Sequence, residues 1–311
     1  MLKTFFIVVA TSAVVFGLVV LALYRRFDKF LASSGQDETW SQGDGTSFLD
    51  IVYDPGTGNK LDIYVPANLN PSQANGLVLF VHGSEGSKEW ERHNCYQYAK
   101  AGYITATVDY SKHTQVNPVT MFAVLRELEA ATHKIKELSE RNCWNIQGMA
   151  LSGTSRGGHL SLLFAYSRHP SAFPIKFVAV GAAPIDFHWD SWDFQGKHKP
   201  EIAVTLVNQG TANSFHPWDF RLGDAEDAIN SISPLAMIDE NTVPTLMAYG
   251  TMDREYNPRN GEILREKLNE HGVKNDLIEF PNSDHYLAED MESSQQYREK
   301  FLEYLHTHFG Y

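Results

Sequence analysis

Short runs of apolar residues recur along the chain, separated by longer stretches in which apolar residues return every three or four positions. The short runs are bounded by turn-forming residues and have the length of β-strands. They cover residues 48–54, 60–66, 77–83, 103–110, 145–153, 177–183, 245–251 and 276–281. The longer stretches have the period of an amphipathic helix and cover residues 119–141, 155–168, 259–271 and 289–309. The pattern predicts strands that alternate with helices.

This alternation predicts a mostly parallel central sheet with helices on both faces, because a crossover must carry the chain back before each parallel strand. The third run, LVLFVHG, is almost wholly apolar, as expected of a strand covered on both faces. The first two runs flank the turn-rich segment PGTGN and predict an antiparallel hairpin. Ligands of such sheets bind beyond the carboxyl ends of the strands, so functional residues should directly follow strand runs.

The segment LSGTSRGG, residues 151–158, meets that requirement and contains the pattern Gly-x-Ser-x-Gly around Ser155. The pattern alone is weak in a chain with 22 glycines, but here a strand runs into Ser155 and a helix follows it. A strand, tight turn and helix would lift the serine above the sheet and place the backbone N–H of Arg156 where it can donate to an oxyanion. Ser155 is the predicted nucleophile, and a structural glycine-serine turn is the alternative.

A serine hydroxyl needs a base that takes its proton and a carboxylate that orients the base. Asp253 follows the seventh apolar run and His285 follows the eighth. The chain order serine, aspartate, histidine is that of an α/β-hydrolase, so we expect Asp253 and His285 to complete a catalytic triad with Ser155. The rival carboxylates are Asp284, which is adjacent to the base and badly directed to support it, and Glu255.

A second oxyanion donor should come from the loop after the third run, which reads His82-Gly83-Ser84-Glu85-Gly86. Glycine at position 83 lets the backbone approach the substrate carbonyl. The N–H of Ser84 is the preferred donor, with that of Gly83 as the rival. We expect His82 to fix the loop by hydrogen bonds and to take no proton from the substrate.

Composition and charge exclude some classes of protein. The chain has 311 residues, is 43% hydrophobic and 21% charged, and carries a formal net charge of -12. Nucleic-acid binding needs clustered lysine and arginine, which the sequence lacks, so we expect no nucleic-acid partner. The two cysteines, Cys95 and Cys143, rule out a disulfide framework and a thiolate zinc cluster; two free thiols are expected, with one bridge as the alternative. No cofactor is implied.

Residues 5–24, FFIVVATSAVVFGLVVLALY, contain no charged side chain. At about 1.5 Å per residue, a helix of this length spans roughly 30 Å, the thickness of a bilayer's hydrocarbon core. A secretory signal is the alternative, but its apolar part is usually shorter and followed by small residues, whereas Arg25 and Arg26 follow here. We expect a single-pass membrane anchor over residues 1–32 and a polar tether over residues 33–47.

The basic residues on the two sides of residues 5–24 suggest an orientation in the membrane. Lys3 and the amino terminus precede the stretch, and Arg25, Arg26 and Lys29 follow it. This slight excess favours a cytosolic location for the rest of the chain.

The chain resembles the α/β-hydrolase carboxylesterase and lipase superfamily, especially its acetyl-esterase and hormone-sensitive-lipase-like branches. The resemblance runs from about Lys60 to the C-terminus and includes LDIYVP, LVLFVHG, AGYITATVDYS, LSGTSRGGHLSLL, SPLAMIDENTVPTLMAYGTMD and EFPNSDHYL. It implies an α/β-hydrolase catalytic domain over residues 48–311. Within that domain it implies Ser155 as nucleophile, His285 as acid and base, and Asp253 as the group that orients the histidine.

Two positions depart from the pattern of that family. Relatives usually have H-G-G-G or H-G-G-x-W where this chain has Ser84 and Glu85, and commonly have alanine where it has Arg156. Because the two departures have opposite charges, we consider an ion pair between Glu85 and Arg156, with solvent-facing side chains as the alternative. Glu85 is also a candidate substrate-binding residue.

The segment between the sixth and seventh runs, residues 185–235, is rich in aromatic residues. In this architecture an insertion at that place lies over the nucleophile, so we expect a cap that lines the acyl pocket, with Trp189, Trp192 and Trp218 as candidate substrate-binding residues. A small satellite core beneath a long loop is the alternative. The histidines and aspartates of this segment match no metal-ligand spacing, so no metal site is expected.

These features predict a membrane-anchored serine hydrolase that cleaves a carboxylic ester, small or lipid-like, through an acyl-enzyme on Ser155. The same apparatus can cut an amide, formamide or peptide bond. The fold can also serve as a non-catalytic binding protein. The sequence does not decide between these alternatives, nor does it fix the acyl-chain length or the oligomeric state.

Overall fold

The computed structural model describes residues 39–194, 197–198 and 200–310. The predicted anchor at residues 5–24 and the first part of the predicted tether lie outside these residues. Within the described part of the chain, no helix combines the length and the apolar character that crossing a membrane requires.

The described residues form ten strands, eight of which make one sheet. The strands are β1 (Gly45–Val52), β2 (Lys60–Pro66), β3 (Asn75–Val81), β4 (Ile104–Val108), β5 (Ile146–Thr154), β6 (Ile175–Gly181), β7 (Asp193–Phe194), β8 (Lys197–His198), β9 (Thr245–Gly250) and β10 (Asn275–Phe280). The order in the main sheet is β1-β2-β4-β3-β5-β6-β9-β10. Within this sheet β2 is antiparallel to both of its neighbours, and all other pairs are parallel. The predictions of an amino-terminal hairpin and a mostly parallel sheet are confirmed.

Eight α-helices occur within the described residues. They are α1 (Arg92–Lys100), α2 (Met121–Asn142), α3 (Arg156–Tyr166), α4 (Pro200–Thr211), α5 (Pro217–Leu222), α6 (Glu226–Ile232), α7 (Asn260–Glu270) and α8 (Met291–Phe309). The four predicted helices correspond to α2, α3, α7 and α8. The sequence pattern does not predict α1, because its buried side chains include His93 and Cys95 and no aliphatic residue larger than alanine.

Two apolar layers attach the helices to the sheet. Side chains of α2, α3 and α7, such as Leu128, Leu162 and Leu264, pack on one face. Side chains of α1 and α8, such as Tyr98 and Phe301, pack on the other. Fully burying a side chain of this size contributes about 1.5 to 3 kcal/mol, so both faces of the sheet are firmly covered and its strand ends form a rigid base for the site.

The predicted cap, residues 185–235, is mainly helical and continuous with the core of the first face. It contains α4, α5 and α6, together with a short 3-10 helix over Trp189–Trp192. The buried side chains Phe187, Val207 and Ile229 join the same apolar cluster as α2 and α3. Packing in the core therefore explains much of the apolar content on which the prediction of a cap was based.

The turn between β5 and α3 holds Ser155 at the end of the sheet. Ser155 has φ 57° and ψ −126°, a strained conformation for a residue with a Cβ atom. Its N–H donates to the carbonyl of Gly181 at 2.8 Å, and its carbonyl accepts from the N–H of His159 at 3.0 Å. α3 passes so close to β3 that a Cβ on Gly157 would lie 1.9 Å from the carbonyl oxygen of Val81. Only glycine fits at position 157.

We expect Gly157→Ala to lower the free energy of unfolding by about 3 kcal/mol or more, because its methyl group would meet backbone rather than a movable side chain. Chemical denaturation followed by circular dichroism measures the change. Gly83→Ala is the matched control beside the same serine, since its Cβ would make ordinary contacts at 3.6 Å and beyond. Equal stability of the two variants would contradict the steric explanation.

Candidate active site

The structure brings Ser155, His285 and Asp253 into one hydrogen-bonded chain at the carboxyl end of the sheet. The Oγ atom of Ser155 lies 2.9 Å from Nε2 of His285, and Nδ1 of His285 lies 2.9 Å from Oδ2 of Asp253. The side chains of His285 and Asp253 are 11% and 2% exposed. In this arrangement the imidazole can accept the hydroxyl proton at Nε2 while its Nδ1–H donates to the carboxylate.

Backbone groups fix the orientation of Asp253. Its Oδ1 atom accepts the N–H of Glu255 at 2.7 Å and the N–H of Tyr256 at 3.1 Å, which leaves Oδ2 for His285. Neither rival carboxylate takes this place. Glu255 is exposed, and the carboxylate of Asp284 accepts the backbone N–H two residues further on.

The loop that carries His285 is held by its own hydrogen bonds and by β9. The hydroxyl of Ser283 donates to Oδ2 of Asp290 at 2.6 Å, and the backbone and amide N–H groups of the preceding residue also donate to that carboxylate. The loop crosses the end of β9 so closely that a Cβ on Gly250 would lie 2.4 Å from the carbonyl oxygen of Asp284. These contacts fix the imidazole relative to the sheet.

The loop after β3 passes beside the serine with a fixed backbone. A Cβ on Gly83 would lie 3.8 Å from the Cβ of Ser155. The carbonyl oxygen of Gly83 accepts from Nδ1 of His82 at 2.7 Å, from the hydroxyl of Tyr110 at 3.3 Å and from a backbone N–H three residues on at 3.1 Å. In a trans peptide the N–H points away from the carbonyl, so the N–H of Ser84 is directed away from all three donors.

With the N–H of Gly83 still the rival to that of Ser84, the candidate oxyanion donors are the N–H groups of Ser84 and Arg156. Neither has an acceptor among the described residues, and Arg156 is the first residue of α3, where backbone N–H groups have no intrahelical partner. Such preorganised donors beside a nucleophile can stabilise the negative charge that develops on a substrate carbonyl oxygen.

His82 has the structural role expected from the sequence. It is 1% exposed, and its ring stacks on Tyr110 with centroids 4.2 Å apart. Burial lowers the pKa of His82 to about 4, so the ring is neutral at neutral pH and donates through Nδ1. Tyr110 also donates its hydroxyl to the His82 carbonyl at 2.9 Å. No sequence motif marks Tyr110, whose contribution depends on packing alone.

A buried ion pair fixes the far end of the same loop. Nζ of Lys88 lies 2.9 Å from Oδ1 of Asp62, and the guanidinium of Arg92 lies 2.9 Å from Oδ2. The backbone N–H of Lys88 donates to Asp109 at 2.9 Å. Because both carboxylate oxygens of the buried Asp62 are paired, the contact holds the loop to β2 in one arrangement.

The hypothesis of an ion pair between Glu85 and Arg156 is wrong. Glu85 is exposed, and the guanidinium carbon of Arg156 lies 5.8 Å from the centre of the Tyr110 ring instead. The Nε atom of Arg156 is buried without a hydrogen-bond partner among the described residues.

Tyr256 belongs to the site but was missed by sequence reasoning. Its ring meets that of His285 edge to face, with centroids 5.1 Å apart. Burial raises the pKa of Tyr256, and its interactions with Ser155 and Arg156 oppose that increase. The only available signal was its position three residues after Asp253, whose carboxylate accepts its backbone N–H.

Trp192 supports Tyr256 from within the core. It is 3% exposed, its Nε1–H donates to the carbonyl of Asp186 at 3.0 Å, and its ring lies 5.5 Å from that of Tyr256. The prediction that Trp192 offers a surface to the substrate is corrected, because the side chain is already enclosed.

The other two candidate tryptophans flank a cation. The guanidinium carbon of Arg221 lies 4.6 Å from the ring centre of Trp189 and 5.5 Å from that of Trp218. Trp218 is 67% exposed. The described structure gives neither ring a contact with the triad.

A histidine of the cap binds carboxylates. His188 contacts Asp186 at 2.6 Å and Glu226 at 3.3 Å. The hydrogen bond to Asp186 raises the pKa of His188 to about 9. Over the part of the chain that the structure describes, no three histidine, cysteine, aspartate or glutamate side chains are grouped to hold a metal ion.

The fold is that of the α/β-hydrolases, as solved structures with the same architecture show. A truncated carbohydrate esterase from gut microbiota has a TM-score of 0.67 at 15% identity, covering 87% of this chain and 99% of its own. Inhibited esterase B from Lactobacillus rhamnosis has a TM-score of 0.67 at 16% identity, covering 96% of each chain. A Thermogutta terrifontis esterase, Est2, has a TM-score of 0.64 at 17% identity, covering 85% and 92%.

Within this fold the chain belongs to the BD-FAE family, whose model matches residues 61–268. The matched region includes Ser155 and Asp253 and ends before His285. No curated protein matches the chain.

The buried imidazoles predict a loss of stability in acid. Burial lowers the pKa of His159, as of His82, from 6.5 to about 4, and both side chains are 1% exposed. In the unfolded chain each ring takes up a proton at higher pH than in the folded protein. The stability that depends on neutral rings is therefore present above pH 6.5 and is lost as the pH falls towards 4.

We expect each ring to contribute a slope of about 1.4 kcal/mol per pH unit over this window. His159→Gln keeps a donor for the carbonyl of Ile232, which accepts from His159 Nε2 at 2.8 Å, but cannot bind the proton. Denaturant titrations at several pH values give the free energy of unfolding as a function of pH. Between about pH 6.5 and 4 this free energy should fall less steeply in the variant, by the slope that one proton contributes, and above about pH 7 the two slopes should be equal. Identical slopes throughout would disprove the assignment.

Proposed function

We propose that the protein is a serine esterase in which Ser155 attacks a carboxylic ester and forms an acyl-enzyme. The observation that carries the proposal is the chain of two 2.9 Å contacts that joins Ser155 to His285 and His285 to Asp253. The structural neighbours named above are each described as esterases, which supports an ester as the substrate. No cofactor enters the proposed reaction.

In the proposed reaction His285 first takes a proton from Ser155 and then gives a proton to the leaving alcohol. As the Oγ atom of Ser155 bonds to the ester carbon, His285 takes its proton at Nε2 and the carbonyl electron pair moves onto oxygen. The N–H groups of Ser84 and Arg156 receive that oxyanion, and losing one such donor typically costs about 2.7 to 4 kcal/mol of barrier stabilisation. The imidazolium then protonates the leaving alcohol as its carbon–oxygen bond breaks. Water repeats the sequence and releases the acid.

Amide, formamide or peptide hydrolysis would use the same three side chains. The rates of hydrolysis of an ester and an amide that carry the same acyl group compare these reactions directly. A purely binding role is the remaining alternative, and the hydrogen-bonded triad argues against it, because binding requires no base aligned on a hydroxyl.

We expect Ser155→Ala to lower kcat for p-nitrophenyl acetate by about 10⁴-fold or more and to abolish labelling by a fluorophosphonate probe. Ser167→Ala is the matched control, since this exposed serine lies at the other end of α3 and should be labelled like the native protein. Undiminished hydrolysis or labelling of Ser155→Ala would refute the proposal, and ligand binding without any product would favour the binding role.

We further propose that residues 5–24 anchor the protein in a membrane, with the catalytic domain on the cytosolic side. The support is the 20-residue uncharged stretch and the basic residues that follow it. The described residues offer a reporter of sidedness, because Cys143 is exposed while the second free thiol, Cys95, is buried.

The full chain should remain in the membrane fraction after an alkaline carbonate wash, and a variant that lacks residues 1–32 should not. A membrane-impermeant maleimide should label Cys143 after lysis but not in intact cells, with Cys143→Ser as the control for labelling elsewhere. Labelling in intact cells would place the domain outside, and a full chain released by carbonate would exclude the anchor.

A further inference from the structure

Arg156 places a positive charge beside the nucleophile. Its backbone begins α3 directly after Ser155, and its guanidinium lies over the ring of Tyr110. Burial raises the pKa of both Tyr110 and Tyr256, and the charge of Arg156 opposes the increase in both. The guanidinium therefore lies beside Tyr110, which holds the carbonyl of Gly83, and its charge also acts on Tyr256, whose ring contacts His285.

The side chain has no anionic partner among the described residues. No carboxylate of the residues that the structure describes lies within ion-pairing distance, and the buried Nε atom has no acceptor among them. Three other cations of the described chain have a carboxylate partner: Lys88 and Arg92 contact Asp62, and Arg168 contacts Asp239. Leaving a buried donor without an acceptor typically costs about 1 to 3 kcal/mol, and more for a charged group. Such a cost beside a nucleophile suggests that the acceptor arrives with the ligand.

The planar guanidinium presents five N–H donors in a geometry that matches a carboxylate. The net charge of -12 repels anions at long range. A guanidinium without a carboxylate partner among the described residues, on the residue that follows Ser155, is therefore a local point of attraction for an anion.

We propose that the preferred substrates are esters that carry a carboxylate, and that the guanidinium of Arg156 binds this group. The inference rests on the proposed esterase function and adds a substrate class to it. The carboxylate belongs either to the acyl part or to the alcohol part of the ester. Arg156 thus has two separate roles, because its backbone N–H faces the oxyanion and its side chain faces the anionic group.

Matched pairs of esters test the proposal. p-Nitrophenyl hydrogen glutarate and its neutral methyl ester differ by one charge and one methyl group on the acyl part. Acetoxybenzoate and its methyl ester differ in the same way on the alcohol part, and release of nitrophenol or of acetate reports cleavage of the intended bond in each pair. One charge-assisted contact predicts that kcat/KM is higher for the anionic member of one pair by about 10- to 100-fold. The pair that shows the preference identifies the part of the substrate that Arg156 binds.

Substitutions assign the preference to the side chain. Arg156→Gln keeps the backbone N–H and removes the charge, so the ratio of anionic to neutral kcat/KM should fall to about one, mainly through a higher KM for the anion. Arg156→Lys keeps the charge without the planar fork and should retain part of the ratio. Lys112→Gln is the matched control, because it removes an exposed cation from the loop after β4 and should leave the ratio unchanged. Fluorophosphonate labelling reports that Ser155 is still reactive in each variant.

Equal activity of the native protein on both members of each pair would overturn the inference and leave the esterase proposal intact. An equal loss for neutral and anionic esters in Arg156→Gln would also overturn it, because the side chain would then act on the oxyanion. Absence of any Ser155-dependent hydrolysis or labelling would refute the esterase proposal itself, and the substrate inference with it.

Discussion

The close approach of α3 to β3 is the constraint on which the candidate site depends. Gly157 lets the helix lie against the carbonyl of Val81, and this contact fixes where the chain must turn after β5. The turn forces Ser155 to a φ of 57°, a strain of about 1 to 3 kcal/mol that the N–H···O bonds to Gly181 and from His159 help to offset. In return, the hydroxyl stands clear of the sheet and the N–H of Arg156 stands beside it.

The loop after β3, residues 82–88, which carries the candidate oxyanion donor Ser84, is held in one arrangement by the protein itself. His82 and Tyr110 hold the carbonyl of Gly83 at one end, and Lys88 holds the other end to Asp62 of β2. A donor that is already in place needs no reorganisation when charge develops on the substrate, which is the main reason that such donors lower barriers. The altered sequence of this loop, with Ser84 and Glu85, is therefore compatible with a well-formed backbone geometry.

The local pattern of apolar residues predicted the strands of the main sheet, the hairpin and the turn at Ser155. The expectation that functional residues directly follow the carboxyl ends of strands pointed to Asp253 and His285. These features depend on residues adjacent in sequence or on the general topology of parallel sheets. The roles of Tyr110 and Tyr256 could not be predicted in this way, because their contacts join distant segments. Nor could α1, because its buried face is mostly polar or aromatic. The Glu85 and Arg156 hypothesis failed because opposite charges in sequence say nothing about the direction of either side chain.

Ser155 and His285 follow strands at different positions in the sheet, and this difference has a consequence on heating. β5 lies between β3 and β6, whereas β10 is the last strand of the sheet and pairs only with β9 among the described strands. Edge strands open locally at lower cost than central ones. Separation of β10 would carry His285 away while Ser155 stayed packed in place, so thermal inactivation of this protein can precede the cooperative melting of its core.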